Sequence, residues 1–351
     1  EKQLPEDVSG ENDFENRRAE FKKLWAQIQP SGFMHNIGTV HRGRGQIIVG
    51  EKDVALHLAD APIEPMVENG LSFIRRSFDG GWNYFIANRG TNNFDGWVTL
   101  ACRAKSVEMF DPMTGNSGRI AQNKNGQIHL QLAAGESLIV RVFDHVPLVF
   151  ATPSLWNYFQ TSGQPVEITG PWNVKFIAGG PTLPADFQTA RLASWTTFPD
   201  TNTQAFAGTA KYETTFDAPP ERGSVTRSHS ATTDARRLTE PRSNYFLDLG
   251  DVRQSARVTL NGKDYGTLIT PPFRVVVDNL QPTGNKLEIE VTSVAANRIR
   301  DLDRRGAPWK TFHDINIVDI NYKPFDASHW PLTDCGLLGP VTLTPVTSGK
   351  N

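Results

Sequence analysis

The sequence predicts a mainly β protein: two antiparallel β-sandwiches preceded by a short α/β segment. Three observations lead there. From Leu71 onward apolar residues recur at period two in short runs roughly ten residues apart, with Gly, Asn, Asp and Pro between them, as compact all-β domains require. The alternation is densest from Tyr245 to Val291, where Val258 and Leu260 flank Thr259 and Leu287, Ile289 and Val291 follow Thr283-Gly284-Asn285. Only the first residues depart from it: Phe14, Phe21, Leu24, Trp25 and Ile28 recur at helical spacing.

In chain order, residues 1–12 are polar, and Asp13 to Gln29 is predicted helical, stopped by Pro30-Ser31-Gly32. A strand over Gln46–Val49 and a short helix over Lys52–Leu58 follow. Gly43-Arg44-Gly45 precedes its strand, whereas a dinucleotide-binding loop needs strand, glycines and helix in that order, so this reading is rejected. Residues 1–66 cannot enclose a core alone and read as the α/β tail of an upstream catalytic region.

Residues 67–150 are predicted to form the first sandwich. Phe73 and Arg75 lead to Asp79-Gly80-Gly81, and Tyr84 to Asn88 returns as a hairpin. Residues 106–120, carrying Asp111-Pro112 and Thr114-Gly115-Asn116, read as a loop; Gln127–Leu132 and Ser137–Phe143 read as strands. Residues 151–170 are a linker, and 171–346 the second sandwich. There Asn261-Gly262 predicts a tight hairpin because both residues tolerate positive φ, and Pro271-Pro272 marks an edge or a crossing between sheets. Residues 223–244, almost devoid of apolar side chains, read as a solvated insert.

The totals bound the function. A chain of 351 residues can carry two or three domains. Its net charge of -2 creates no field that would attract nucleic acid or a membrane surface. Cys102 and Cys335 are too few and too distant for a disulfide framework or a metal knuckle. No apolar run spans a bilayer, and the N-terminus does not read as a signal peptide.

The ordered string LDLGDVRQSARVTLNGKDYG, PPF, GNKLEIEVT and Asn297-Arg298 resembles the galactose-binding-like jelly roll attached to many glycoside hydrolases. Upstream, GRGQIIVG, FIRRSFDGGWNYFIANRG, EMFDPMTG and HLQLAAGESLIVRVF, then the blocks beginning at Trp172, Leu192 and Phe206, and a closing GLLGPVTL, resemble in order the C-terminal part of glycoside hydrolase family 106, the α-L-rhamnosidases. The resemblance covers roughly residues 38–345. It implies an inverting, calcium-dependent parent enzyme whose acid and base lie on an upstream (β/α)8 barrel, a partner glycan containing rhamnose, and a periplasmic or extracellular bacterial setting. A barrel needs about 250 residues of βα repeats, which this chain lacks. No catalytic residue is therefore assigned, and the chain alone is expected to be inactive. The alternative is a stand-alone carbohydrate-binding protein, favoured if residues 1–66 form a complete small domain.

One segment differs from its surroundings. Residues 297–340 are long, irregular and rich in charge, His and Trp, and long loops inside compact domains often carry function. Aromatic faces stack on pyranose C–H faces while Asp and Arg bind hydroxyls, so Arg298, Trp309, His313, Asp314, His329, Trp330 and Asp334 are the candidate sugar-binding residues. The same residues also read as packing: the two indoles plugging gaps and the charges pairing locally. His313-Asp314 with His329 lacks zinc-ligand spacing. Calcium is implied for the parent; Asp95-Gly96 and Asp301-Leu302-Asp303 offer oxygen ligands, but its position is not fixed.

Overall fold

The computed structural model describes residues 13–28, 37–42, 45–50, 64–147, 154–198, 200–219, 244–278, 280–311 and 318–349. The expected helix over 52–58, most of the insert over 223–244, and both His313 and Asp314 lie outside them. The chain divides into two compact units, Glu1–Pro65 and Met66–Asn351.

In the first unit the predicted helix is α1 (Phe14–Ile28), along which Phe21 stacks on Trp25 one turn later at 5.7 Å. Strand β1 (Ile37–Arg42) pairs antiparallel with β2 (Gly45–Gly50), giving the predicted strand a partner that periodicity had not flagged.

The second unit is antiparallel β, with two cores. The first lies between a five-stranded sheet and a two-stranded one. The larger sheet has the order β3 (Ser72–Phe78), β4 (Gly81–Ala87), β9 (Ser137–Phe143), β6 (Ser106–Phe110), β7 (Ser117–Ile120). The smaller pairs β5 (Phe94–Val98) with β8 (Ile128–Leu132). Alternate residues such as Tyr84, Ile86, Val140 and Leu130 are fully buried between them. Each such side chain contributes about 1.5–3 kcal/mol of burial free energy.

Residues 106–120 correct the expectation of a loop. The turn signals are placed rightly, with Asp111 accepting from the Met113 amide at 2.8 Å, but β6 and β7 flank them as a hairpin. The alternation was hidden because Glu108 occupies the face opposite Val107 and Met109. It is fully buried and in register with Arg119 on one side and Arg141 on the other.

The second core lies between a six-stranded and a five-stranded sheet. The first has the order β13 (Phe187–Thr189), β12 (Trp172–Gly180), β14 (Ala207–Phe216), β20 (Asn285–Thr292), β17 (Ser255–Leu260), β18 (Lys263–Leu268). The other runs β10 (Tyr158–Thr161), β22 (Thr342–Gly349), β15 (Asn244–Asp248), β19 (Arg274–Val277), with β11 (Val166–Glu167) also on β22. The stretch read as a linker thus supplies two strands to this sandwich. A small pair, β16 (Asp251–Arg253) with β21 (Gly336–Gly339), and the short helix α2 (Thr201–Ala205) complete it. Asn261 and Gly262 turn β17 into β18 with φ of 50° and 78°, as the hairpin requires. Pro271-Pro272 lies between β18 and β19, where the chain crosses from one sheet to the other.

The two sandwiches are joined by a polar and aromatic seam. The Gln131 carboxamide meets the Phe159 backbone at two points, accepting from its amide at 3.1 Å and donating to its carbonyl at 3.2 Å. Arg274 lies 4.2 Å over the Phe246 ring and 3.6 Å from the carboxylate of Glu136, whose pKa burial pushes up.

Candidate functional site

The segment expected to be irregular begins with a helix, α3 (Ala296–Arg304), which the reading of 297–340 as irregular had missed. Three side chains on one face of α3 hold the returning chain. Asn297, only 2% exposed, donates to the Thr333 carbonyl at 2.7 Å and accepts from its amide at 2.8 Å. Arg300 donates to the Trp330 carbonyl at 2.6 Å, and Asp303 accepts from the Ala327 amide at 2.7 Å. Each step of three along the helix is matched by a step of three back along the returning segment. Three helical residues advance only about 4.5 Å, so the returning chain cannot be extended. It shortens by a turn in which the Trp330 amide bonds to the Ala327 carbonyl at 3.0 Å.

Asp303 is the centre of the site. It also accepts from the Trp309 indole at 2.6 Å and lies 3.1 Å from the Lys310 ammonium, with only 7% of its side chain exposed. Burial alone would raise its pKa, but the Ala327 amide, the indole and the ammonium together outweigh burial and hold it below the usual value. Lys310 in turn donates to the Phe325 carbonyl at 2.7 Å. Phe325 stands edge-on between the two indoles, 6.0 Å from Trp309 and 5.5 Å from Trp330. An open cleft of about 290 Å3 lies against Trp309, Asp303, Lys310 and Asp326, at the small end of the range for ligand sites. A larger hollow among the described residues, about 370 Å3, is elsewhere, beside Val166, Thr215 and Gly284, and shares none of these residues.

Of the predicted residues, Trp309 and Trp330 are brought together through Phe325, with Trp330 38% exposed. His329 is exposed beside Trp330. Arg298 pairs along its own helix with Asp301 at 3.2 Å. Asp334 receives Thr196 Oγ1 at 3.4 Å. Phe325, Lys310, Arg300 and Asn297 were not singled out, because nothing local in sequence distinguishes them from ordinary loop and helix residues. The three-residue stagger is the one signal that pairs Asn297 and Arg300 with their partners, and it exists only once the chain returns.

The carboxylates of the oxygen-rich loops already have side-chain partners. Asp301 is taken by Arg298 and Arg305, Asp303 by Lys310, and Asp95 by His129 at 2.9 Å and by the Gln131 amide at 3.0 Å. Among the described residues no three His, Cys, Asp or Glu cluster so as to hold a metal, and no helix is long and apolar enough to cross a membrane.

Compared with known proteins, the chain is similar to parts of larger ones. A "Putative beta-glucuronidase" of Formosa agariphila is 31% identical over 204 residues, 51% of this chain and 16% of that protein. The structure of a rhamnosidase from Novosphingobium sp. PP1Y matches 94% of this chain at 23% identity with a TM-score of 0.55, a likeness of fold. A GH2 beta-galacturonidase from Eisenbergiella tayi reaches a TM-score of only 0.30 over 52% of the chain and 24% of its own, too low to carry an argument. The chain spans 16% of the curated relative and 29% of the rhamnosidase chain. No protein-family model matches it.

Proposed function

We propose that this chain is the C-terminal accessory portion of an inverting α-L-rhamnosidase of the family 106 type, secreted to the periplasm or beyond by a bacterium. Its two sandwiches brace an upstream (β/α)8 barrel. The surface around Trp309 and Trp330 contacts the rhamnose-containing glycan. The observation that carries this reading is the fold likeness along 94% of the chain to less than a third of a rhamnosidase. The ordered sequence blocks support it independently.

Inversion needs two carboxyl groups about 6.5–9.5 Å apart, one protonating the leaving oxygen while the other activates water. In this proposal both belong to the barrel. The residues here contribute binding: indole faces toward C–H faces of a pyranose, and Asp326 at the cleft edge, with the exposed His329, toward its hydroxyls.

The test is release of rhamnose from an aryl α-L-rhamnopyranoside and from a rhamnosylated oligosaccharide. The 351-residue chain is expected to release none, and a polypeptide extended upstream by a barrel to release it with inversion. Hydrolysis by the 351-residue chain alone would overturn the accessory assignment. Titration of the oligosaccharide against the Trp309→Ala and Trp330→Ala chains tests the binding surface; unchanged affinity in both would remove it.

A further inference from the structure

Strands β5 and β8 present a second surface that the candidate residues do not use, bordering the seam at Gln131. Residues alternate along a strand, so the outward positions on β5 are Asp95 and Trp97, and on β8 His129 and Gln131, while Val98, Ile128, Leu130 and Leu132 face the core. In the register Asp95 lies opposite Gln131 and Trp97 opposite His129, so the four form one square on one face.

Each member of the square is fixed by another. His129 Nε2 is 2.9 Å from Asp95 Oδ1, and the Gln131 amide donates to Asp95 Oδ2 at 3.0 Å. The Trp97 ring leans on the His129 ring at 5.1 Å, and His129 meets the Tyr158 ring edge-on at 5.1 Å. Nonetheless Trp97 is 41% exposed and the Asp95 side chain 56% exposed. An ionised carboxylate offers about four acceptor positions, and two are taken among the described residues. An open indole and an oriented carboxylate with spare lone pairs thus stand two residues apart, about 6.8 Å along the strand, with little ordering left to do on binding.

We propose that Trp97 and Asp95 form a second glycan contact, on the first sandwich, that takes a neutral pyranose: the indole stacks on its C–H face and the carboxylate accepts from its hydroxyls. The carboxylate disfavours a uronate in the same place. The proposal rests on the reading that this protein handles glycans and places an additional contact away from Trp309 and Trp330.

Saturation-transfer difference NMR on the 351-residue chain tests it, with methyl α-L-rhamnopyranoside and methyl β-D-galactopyranoside as neutral probes and methyl β-D-glucuronide as the charged one. At least one neutral glycoside is expected to bind, with affinity falling about three- to tenfold in Trp97→Ala, the scale of one aromatic stacking contact. Asp95→Asn should weaken it too, Trp97→Phe should restore part of it, and Trp309→Ala should leave this contribution intact. Since Trp97 is half exposed, the variants are expected to keep the parent's thermal transition, which is checked in parallel. Binding that survives Trp97→Ala and disappears in Trp309→Ala would overturn the second contact while leaving the first standing. Equal binding of the glucuronide through Trp97 would overturn the neutral class. Absence of binding by both neutral glycosides would overturn this proposal, and the glycan-contact part of the broader reading would then rest on the oligosaccharide titration alone.

Discussion

The carboxamide of Asn297 closes a two-point ring on the peptide of Thr333, at 2.7 and 2.8 Å, across 36 residues of chain. A side chain here replaces a strand neighbour, satisfying a backbone donor and acceptor that no sheet reaches. Asn297→Ala leaves both Thr333 groups without this partner, and a cost of about 2–4 kcal/mol is expected from two such losses. Urea unfolding measures it. A near-UV CD change would report loosening around Trp330, which the same helix holds through Arg300.

Asp303→Asn removes the charge that faces Lys310 and one acceptor from the indole or the Ala327 amide. A cost of about 1–3 kcal/mol is expected. Because the folded pKa of Asp303 is depressed, its stabilisation is present above the ordinary carboxylate range and disappears as pH falls through the depressed value. The wild-type chain should therefore lose stability on acidification more steeply than the Asn variant, read from unfolding midpoints between neutral pH and about pH 3.

Gln131→Ala severs the two-point bond to Phe159 at the seam. A loss of about 1–2 kcal/mol is expected. Combined with Arg274→Ala, which removes the cation over Phe246, it should broaden or split the thermal transition as the two cores uncouple, measured by calorimetry. A single unchanged transition would show that apolar contact alone couples them.

Gly336 adopts φ of 101°, and a Cβ there would lie 2.5 Å from Trp195 Nε1 and 2.6 Å from the Tyr212 hydroxyl, the pair whose own hydrogen bond is 2.6 Å. Gly336→Ala should cost more than about 2 kcal/mol through strain and collision together. Gly262→Ala, at φ of 78° with open space around it, should cost only about 1–2 kcal/mol. Chemical denaturation of both variants separates the two contributions.

Burial, reinforced by the charge of Asp334, pushes the Cys335 thiol up to about 11, and burial pushes the Tyr212 phenol up to about 12. Both groups fold neutral, so their contribution is intact below the unfolded values and declines as pH climbs from about 9 towards 12. Stability should fall over that alkaline window, and Cys335→Ser should flatten its lower part. Cys335 should also resist thiol reagents at pH 8 until the protein unfolds, since the thiolate is the nucleophile.

Strands with a clean alternation were legible from sequence, as Val258, Leu260, Leu287, Ile289 and Val291 show: all are fully buried on the face the period assigns them. Local turn chemistry was equally legible at Asn261-Gly262 and at the Pro271-Pro272 crossing. The hairpin at 106–120 was not, because its outward-facing position holds a buried carboxylate set between two arginines three strands wide, a pattern that mimics a polar loop until the neighbouring strands are in place. Strands β10 and β11 were also missed: short and partly polar, they are strands only by virtue of β22, nearly two hundred residues away.

By itself the sequence determined the mainly antiparallel β character, the hairpins at Asp79-Gly80-Gly81 and Asn261-Gly262, and the presence of Trp309 and Trp330 in an unusual segment, because period, turn residues and composition are local properties of the chain. Tertiary structure alone decided that Phe325 stands between those indoles, that Asp303 anchors Trp309 while Lys310 holds Phe325, and that Asp95, Trp97, His129 and Gln131 share one face. Those relations depend on strand register and on where a returning segment meets a helix, and neither is a property of any single stretch.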